Sequence, residues 1–303
     1  MKRVLKNSNF VFLSATIFAL IYPDFAERLT WYIIPALIIP TTVSLCDIKL
    51  RKLDMKKNLK PILVALMLNY VLLSGIVLIM SVLLIEDDAL FKGFIVMVAT
   101  PPAIGVIAYS SLLKGNTHLA LMANAFIYVL SIFLMPVILL LLLGIEVVNP
   151  FEVLKILLIL ILLPLILSRI IIRIPYYEQH KEDKDILINL GFFLVIYVVI
   201  GLNQDILLSG DYGLLLPIFI IGAMRTFFSG TLVFKIGRML NIPYDELVTY
   251  TLFSSYKNLG LTATTSLILF GTKAAVPAAI CILLEVLMFI YYSVLMNPIN
   301  QKD

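Results

Sequence analysis

Lys257 and Asn258 sit in the middle of residues 247–271, an apolar run of membrane-spanning length, among Ser254, Ser255 and Gly260. A lysine at that depth is expensive, and a polar centre interrupted by glycine is a poor uniform helix, so the physics alone marks the segment as a candidate functional site. The ammonium has three readings. It can load and release a proton, attract an anionic group, or pin the structure to a carboxylate or to backbone carbonyls freed by a helix break. Arg225, in IIGAMRTFFSG, can hold a carboxylate or phosphate with two parallel N–H donors, or lock helices together. Glu285, in ICILLEVLMFIYY, is the one acid well inside an apolar run and is the natural partner of Lys257 or Arg225. Asn69, Asn124, Thr262, Thr264 and Thr265 are suited to binding a solute or to joining helices by hydrogen bonds. His118, close to Lys114 at the entrance of a run, is a gate or pH sensor or simply an interfacial histidine.

These residues need elements to hold them. The chain has 303 residues, of which 61% are hydrophobic and 14% charged, against about 45–50% and 25% for soluble domains. Ten apolar runs emerge, at about 9–22, 29–46, 61–85, 91–113, 117–143, 152–173, 186–202, 213–236, 247–270 and 274–296. A spanning helix needs about 20 mostly apolar residues, so the expectation is an all-α polytopic membrane protein. The first run follows Lys2 and Arg3 without a small-residue cleavage site and reads as a retained helix. Cys46 and Cys281 are far apart and imply neither a disulfide nor a metal site.

Lysine and arginine bias sets the expected orientation. With the N-terminus in the cytoplasm, 17 of the 23 cations fall on the cytoplasmic side, including Lys49, Arg51, Lys52, Lys56, Lys57, Lys181 and Lys302. Four fall outside, and Arg225 and Lys257 lie within spans. The reading is a multi-pass protein of the plasma membrane with both termini cytoplasmic. The segment 176–185 is a solvated linker, and Tyr22, Trp31, Tyr291 and Tyr292 form interfacial belts rather than a nucleic-acid platform.

The two halves repeat. Residues 100–138 align without gaps on 256–294 at an offset of 156, with Gly115 on Gly271, Asn116 on Thr272 and Pro101–Pro102 on Lys257–Asn258. Pro61 falls on Pro217 and Asn69 on Arg225 at the same offset, and Ser74–Gly75 meets Ser229–Gly230 one residue out. Five spans per half is an odd number, so the halves are inverted in the membrane. Inverted repeats with interrupted helices at matching places are the signature of secondary transporters, with the site where the breaks meet. Proline frees a backbone carbonyl in the preceding turn, and freed polar backbone survives at membrane depth only inside protein or beside a water-filled cavity.

The stretches 38–50, 66–84, 93–121 and 254–280 resemble the bile acid:sodium symporter family, most specifically around the fourth and ninth runs. The resemblance implies ten helices arranged as a panel domain and a core domain, with spans four and nine crossing at unwound centres. It also implies an organic anion as substrate, typically driven by sodium. The chain departs from the family pattern where sodium oxygens are expected. Pro101 keeps the proline of the Pro-Gly-Gly segment, Pro102 and Ala103 replace its glycines, and Val106–Ile107 stand in place of Ser-Asn. Phe253 takes the position of a glutamate and Lys257 that of a glutamine, while Asn258 remains. Asn69 replaces a glutamine, Ala120 has lost an oxygen and Asn124 has kept a polar group. Sodium needs a cage of several oxygens, so sodium coupling is not expected.

The expectation is therefore one transporter domain over 1–303, with repeats at about 1–145 and 150–303. It carries a small organic anion by alternating access, proton-coupled or uncoupled, with Lys257 standing in for a cation. The candidate site comprises Lys257, Asn258, Pro101, Pro102, Asn69, Asn124, Thr262, Arg225 and Glu285. No cofactor, metal or nucleic acid is called for, and the bilayer is the medium. A cation/proton antiporter, or a membrane sensor that kept the fold, are the alternatives. An enzyme is not expected, because no nucleophile–base–acid set or nucleotide motif stands out.

Overall fold

A computed structural model describes residues 2–46, 59–174, 177 and 183–296. The cations at 49–57, Lys181, Lys302 and most of the 176–185 linker lie outside the described residues. All regular structure in the described residues is helical.

Each apolar run contains helix. In chain order they are α1 (Ser8–Ile21), α2 (Pro23–Leu45), α3 (Leu59–Leu84), α4 (Asp88–Ala99), α5 (Gly105–Leu112), α6 (Thr117–Leu143), α7 (Pro150–Ile171), α8 (Lys184–Gly201), α9 (Tyr212–Met239), α10 (Tyr244–Phe253), α11 (Leu259–Phe270) and α12 (Lys273–Leu295). Seven of them, α2, α3, α6, α7, α8, α9 and α12, are long and apolar enough to cross a membrane. The fourth and ninth runs are each two shorter helices, α4–α5 and α10–α11, separated by non-helical residues.

Short polar side chains start the helices. Asn7, Asp87, Asn116, Asn149, Asp211 and Asn258 each accept a hydrogen bond from a backbone N–H of the first turn, satisfying donors that a helix start leaves without partners. Gly144 and Gly271 follow α6 and α11 with φ of 82° and 87°, a left-handed backbone that glycine adopts without a Cβ penalty.

Three helices carry a π-type turn, at Leu68–Leu73 in α3, Leu158–Leu162 in α7 and Met224–Phe228 in α9. Such turns are rare and concentrate at functional sites; here two of them hold Asn69 and Arg225.

Apolar side chains fill two buried clusters. The larger joins α1, α2, α8, α4, α11 and α12 with parts of α6, α7 and α9. The smaller joins the start of α3 to α5, α10, the first half of α6 and the ends of α9 and α12. Large apolar groups also face outward, among them Trp31, Val71, Ile79, Phe133, Leu141 and Phe151. An apolar exterior of this extent belongs against lipid.

Candidate functional site

The two interruptions meet. The backbone N–H of Asn258 donates to the Pro101 carbonyl at 2.9 Å. The Lys257 ammonium donates to the carbonyls of Val98 at 3.1 Å and Thr100 at 2.7 Å. It also lies 4.4 Å from the centre of the Tyr70 ring, within range of a cation–π attraction. Lys257 is 0% exposed, and no carboxylate pairs with it in the described residues.

A helix end leaves its last carbonyls without intrahelical partners, and at both breaks side chains supply them. At the end of α4, Ser74 donates to Val98 at 2.8 Å, Tyr70 to Ala99 at 3.2 Å, and the Thr100 hydroxyl to Met97 at 2.9 Å. At the end of α10, Asn69 donates through one nitrogen to Phe253 at 2.8 Å and Tyr256 at 2.9 Å, and Arg225 donates to Ser255 at 3.0 Å. Asn124 reaches from α6 to the Ala103 carbonyl at 2.9 Å. Apart from the Thr100 hydroxyl, the donors at each break come from outside its own helix, and Lys257 of one break caps the other.

Asn258 does three jobs. Its side-chain oxygen starts α11 by accepting from Leu261, its amide donates to the Tyr128 hydroxyl at 3.1 Å, and its carbonyl accepts from the Thr262 hydroxyl at 2.9 Å. Thr262 also meets Thr100 hydroxyl to hydroxyl at 3.0 Å. Pro101 and Pro102 are buried at the first break; Pro101 offers its carbonyl to the crossing, and neither proline has an N–H to satisfy. The Asn69 and Asn124 side-chain oxygens and the Thr264 and Thr265 hydroxyls are buried without a hydrogen-bond partner.

The acid is settled in favour of arginine. Glu285 pairs with Arg225 at 2.5 Å, not with Lys257. Arg225 is 0% exposed, so it is a buried ion-pair member and does not snorkel. The crossing therefore gathers Lys257, Asn258, Pro101, Asn69 and Thr262 directly, with Arg225 reaching it through Ser255 and Asn124 through Ala103. Glu285 stands one step behind, and His118 lies apart, exposed on the first turn of α6.

Tyr70, Thr100 and Tyr128 satisfy polar groups at the breaks without being sequence candidates, and Ser74 does so although the sequence marks it only as a repeat position. Adjacency is the signal for two of them: Tyr70 follows Asn69, and Thr100 precedes Pro101.

The meeting of the two breaks thus brings together a buried lysine on backbone carbonyls, a buried ion pair beside it, and unpartnered polar atoms. No curated protein matches the chain closely enough to count as a relative. The model of the SBF-like CPA transporter family matches residues 9–300, nearly the whole chain, and with its multi-pass apolar helices the chain belongs to that bile acid:sodium symporter-like transporter family.

Proposed function

We propose that this protein is a secondary active carrier of a small organic anion that works by alternating access without sodium. The observation that carries the reading is the ammonium of Lys257. It occupies backbone carbonyls of the kind a bound cation uses, and it has no acidic partner among the described residues. Arg225 is neutralised by Glu285, so one positive charge is left at the crossing to attract an anion.

The mechanical part of the reading is an inverted ten-helix repeat whose broken fourth and ninth members cross. The element starts support it. Helices begin at Asp88 and Tyr244 and at Thr117 and Lys273, and the π-type turns begin at Leu68 and Met224. All three pairs share the offset of 156 seen in the sequence. In this reading the crossing moves as a rigid core against a panel built on α1, α2 and α8, which pack on one another, and substrate binds between them.

A cation/proton antiporter is the second reading, and the same contacts favour it. A cation taking the Val98 and Thr100 carbonyls displaces the ammonium, which then gives up a proton.

Reconstitution into liposomes tests the choice. A panel of labelled organic anions is offered under an imposed sodium gradient, an imposed pH gradient, or neither. Anion uptake indifferent to sodium is expected. Uptake that follows sodium and ignores pH refutes the proposal, and cation-driven proton efflux without anion uptake selects the antiporter.

A further inference from the structure

Helix α12 carries Glu285 near its midpoint. A charge at that depth is costly if unpaired, and Arg225 answers it. The pairing is one-sided. Only Nη2 of Arg225 reaches the carboxylate, at Oε1, and the same Nη2 also donates to the Ser255 carbonyl at 3.0 Å. Oε2 accepts no hydrogen bond from the described residues. The two partners also differ in access: the Arg225 side chain is 0% exposed and that of Glu285 is 17% exposed, so the acid is the more accessible of the two.

The groups facing the carboxylate come from four places. Arg225 approaches from α9, Cys281 from the preceding turn of α12, Tyr256 from the second break and Tyr109 from α5. Tyr109 stacks on Tyr256 at 5.2 Å and meets Phe289 at 5.4 Å, making a partly open aromatic wall. The other helices packed on α12, namely α1, α4, α8 and α11, bring no further charged partner to Glu285 among the described residues.

We propose that Glu285, rather than Lys257, carries the proton that this transporter exchanges. Hydronium gives one proton to Oε2 and leaves as water, one O–H bond breaking as another forms on the carboxylate, and the ion pair becomes a neutral acid beside a guanidinium. The shared Nη2 then loses its stronger acceptor and falls back on the Ser255 carbonyl, so protonation is felt at residues 254–258, where α10 stops and α11 begins. Lys257 keeps its place on the Val98 and Thr100 carbonyls. The inference deepens the transporter reading and rests on it for its purpose, but its test needs neither substrate nor flux.

The wild-type chain in lipid is compared in alkaline and mildly acidic buffer by infrared difference spectroscopy and by hydrogen exchange. Acid is expected to raise a protonated-carboxyl band and to speed exchange at 254–258. Both responses should persist in Lys257→Gln and vanish in Glu285→Gln. Glu285→Asp keeps a carboxyl on a shorter stem and should keep the band at a shifted frequency, which controls for a glutamine variant that folds poorly. A band that survives Glu285→Gln overturns the assignment, as does a wild type with no band. So does a pH response at 254–258 that disappears with Lys257→Gln and persists with Glu285→Gln. If no transported anion is found, the carrier reading fails while these spectral outcomes still stand.

Discussion

If Lys257 replaces a bound cation, removing it should create a vacancy that a cation can fill. Lys257→Ala deletes two charge-assisted hydrogen bonds, worth about 1.5–3 kcal/mol each, and a cation–π contact worth about 0.5–2 kcal/mol. Against that loss, the variant no longer buries an ammonium, whose effective penalty is several kcal/mol. The large contributions nearly cancel. What remains is the Thr100 carbonyl, stripped of its donor, at about 1–3 kcal/mol; Val98 keeps the Ser74 hydroxyl. A cation that binds only the folded variant restores stability by RT ln(1 + [L]/Kd), about 2.7 kcal/mol at 100 times its Kd. The assay is thermal unfolding in detergent with sodium chloride or choline chloride at equal ionic strength. The wild type should melt at the same temperature in both salts. The variant should melt lower in choline and recover in sodium. Sodium-specific stabilisation of the wild type refutes the reasoning, as does a variant that loses nothing in choline.

Glu285→Leu should destabilise the protein by about 3–5 kcal/mol, because it strands the fully buried Arg225 charge, and Arg225→Met should cost less, because Glu285 can take up a proton. The double variant should recover most of that in denaturant unfolding, keeping only the cost of the orphaned Ser255 carbonyl, and additive losses would deny the pairing. Gly93→Ala would place a Cβ 2.1 Å from the Ala274 carbonyl oxygen, an overpacking expected to cost about 1–3 kcal/mol; Gly75→Ala, which meets nothing within 4 Å, is the control in the same melting assay. Asp87 starts α4 and pairs with Lys273 at 2.6 Å, so Asp87→Ala should lose about 0.5–2 kcal/mol of capping and about 0.2–1 kcal/mol from the half-exposed pair. Burial alone would raise the Asp87 carboxyl, but the Lys273 ammonium and the Leu90 amide outweigh it and hold it below the ordinary 3.8. A depressed carboxyl stabilises the fold above its unfolded value and stops doing so as pH falls through its folded one. The wild-type advantage from ionisation should therefore be constant above about pH 5 and disappear in strong acid; an advantage that grows on acidification would reverse the sign.

Much of the architecture is legible before any coordinates, because two of its causes are local. Apolar runs bounded by Asn or Asp caps place the helices, and the run read at 117–143 ends where α6 ends. Proline pairs and a lysine inside apolar runs place the interruptions. Partner choice is not local. Glu285 faces Arg225 instead of Lys257 because of how α9 packs against α12, which no spacing along one helix encodes. The capping roles of Tyr70, Ser74, Thr100 and Tyr128 are hidden for the same reason: a tyrosine or serine in an apolar helix is common, and its importance depends on which carbonyl the crossing places opposite it.

The mutual capping of the breaks has a consequence for biogenesis. Val98 and Thr100 are synthesised long before the ammonium that satisfies them, at sequence separations of 159 and 157 residues. At about 5–20 residues per second that gap lasts roughly ten to thirty seconds. During it, the end of α4 has the Ser74, Tyr70 and Thr100 hydroxyls but not the ammonium, and the Thr100 carbonyl has no protein partner among the described residues in a medium that offers no water. The first half of this chain therefore cannot be finished on its own. Its broken helix must wait, shielded at the insertion machinery or held at the bilayer surface, until residue 257 arrives to close it.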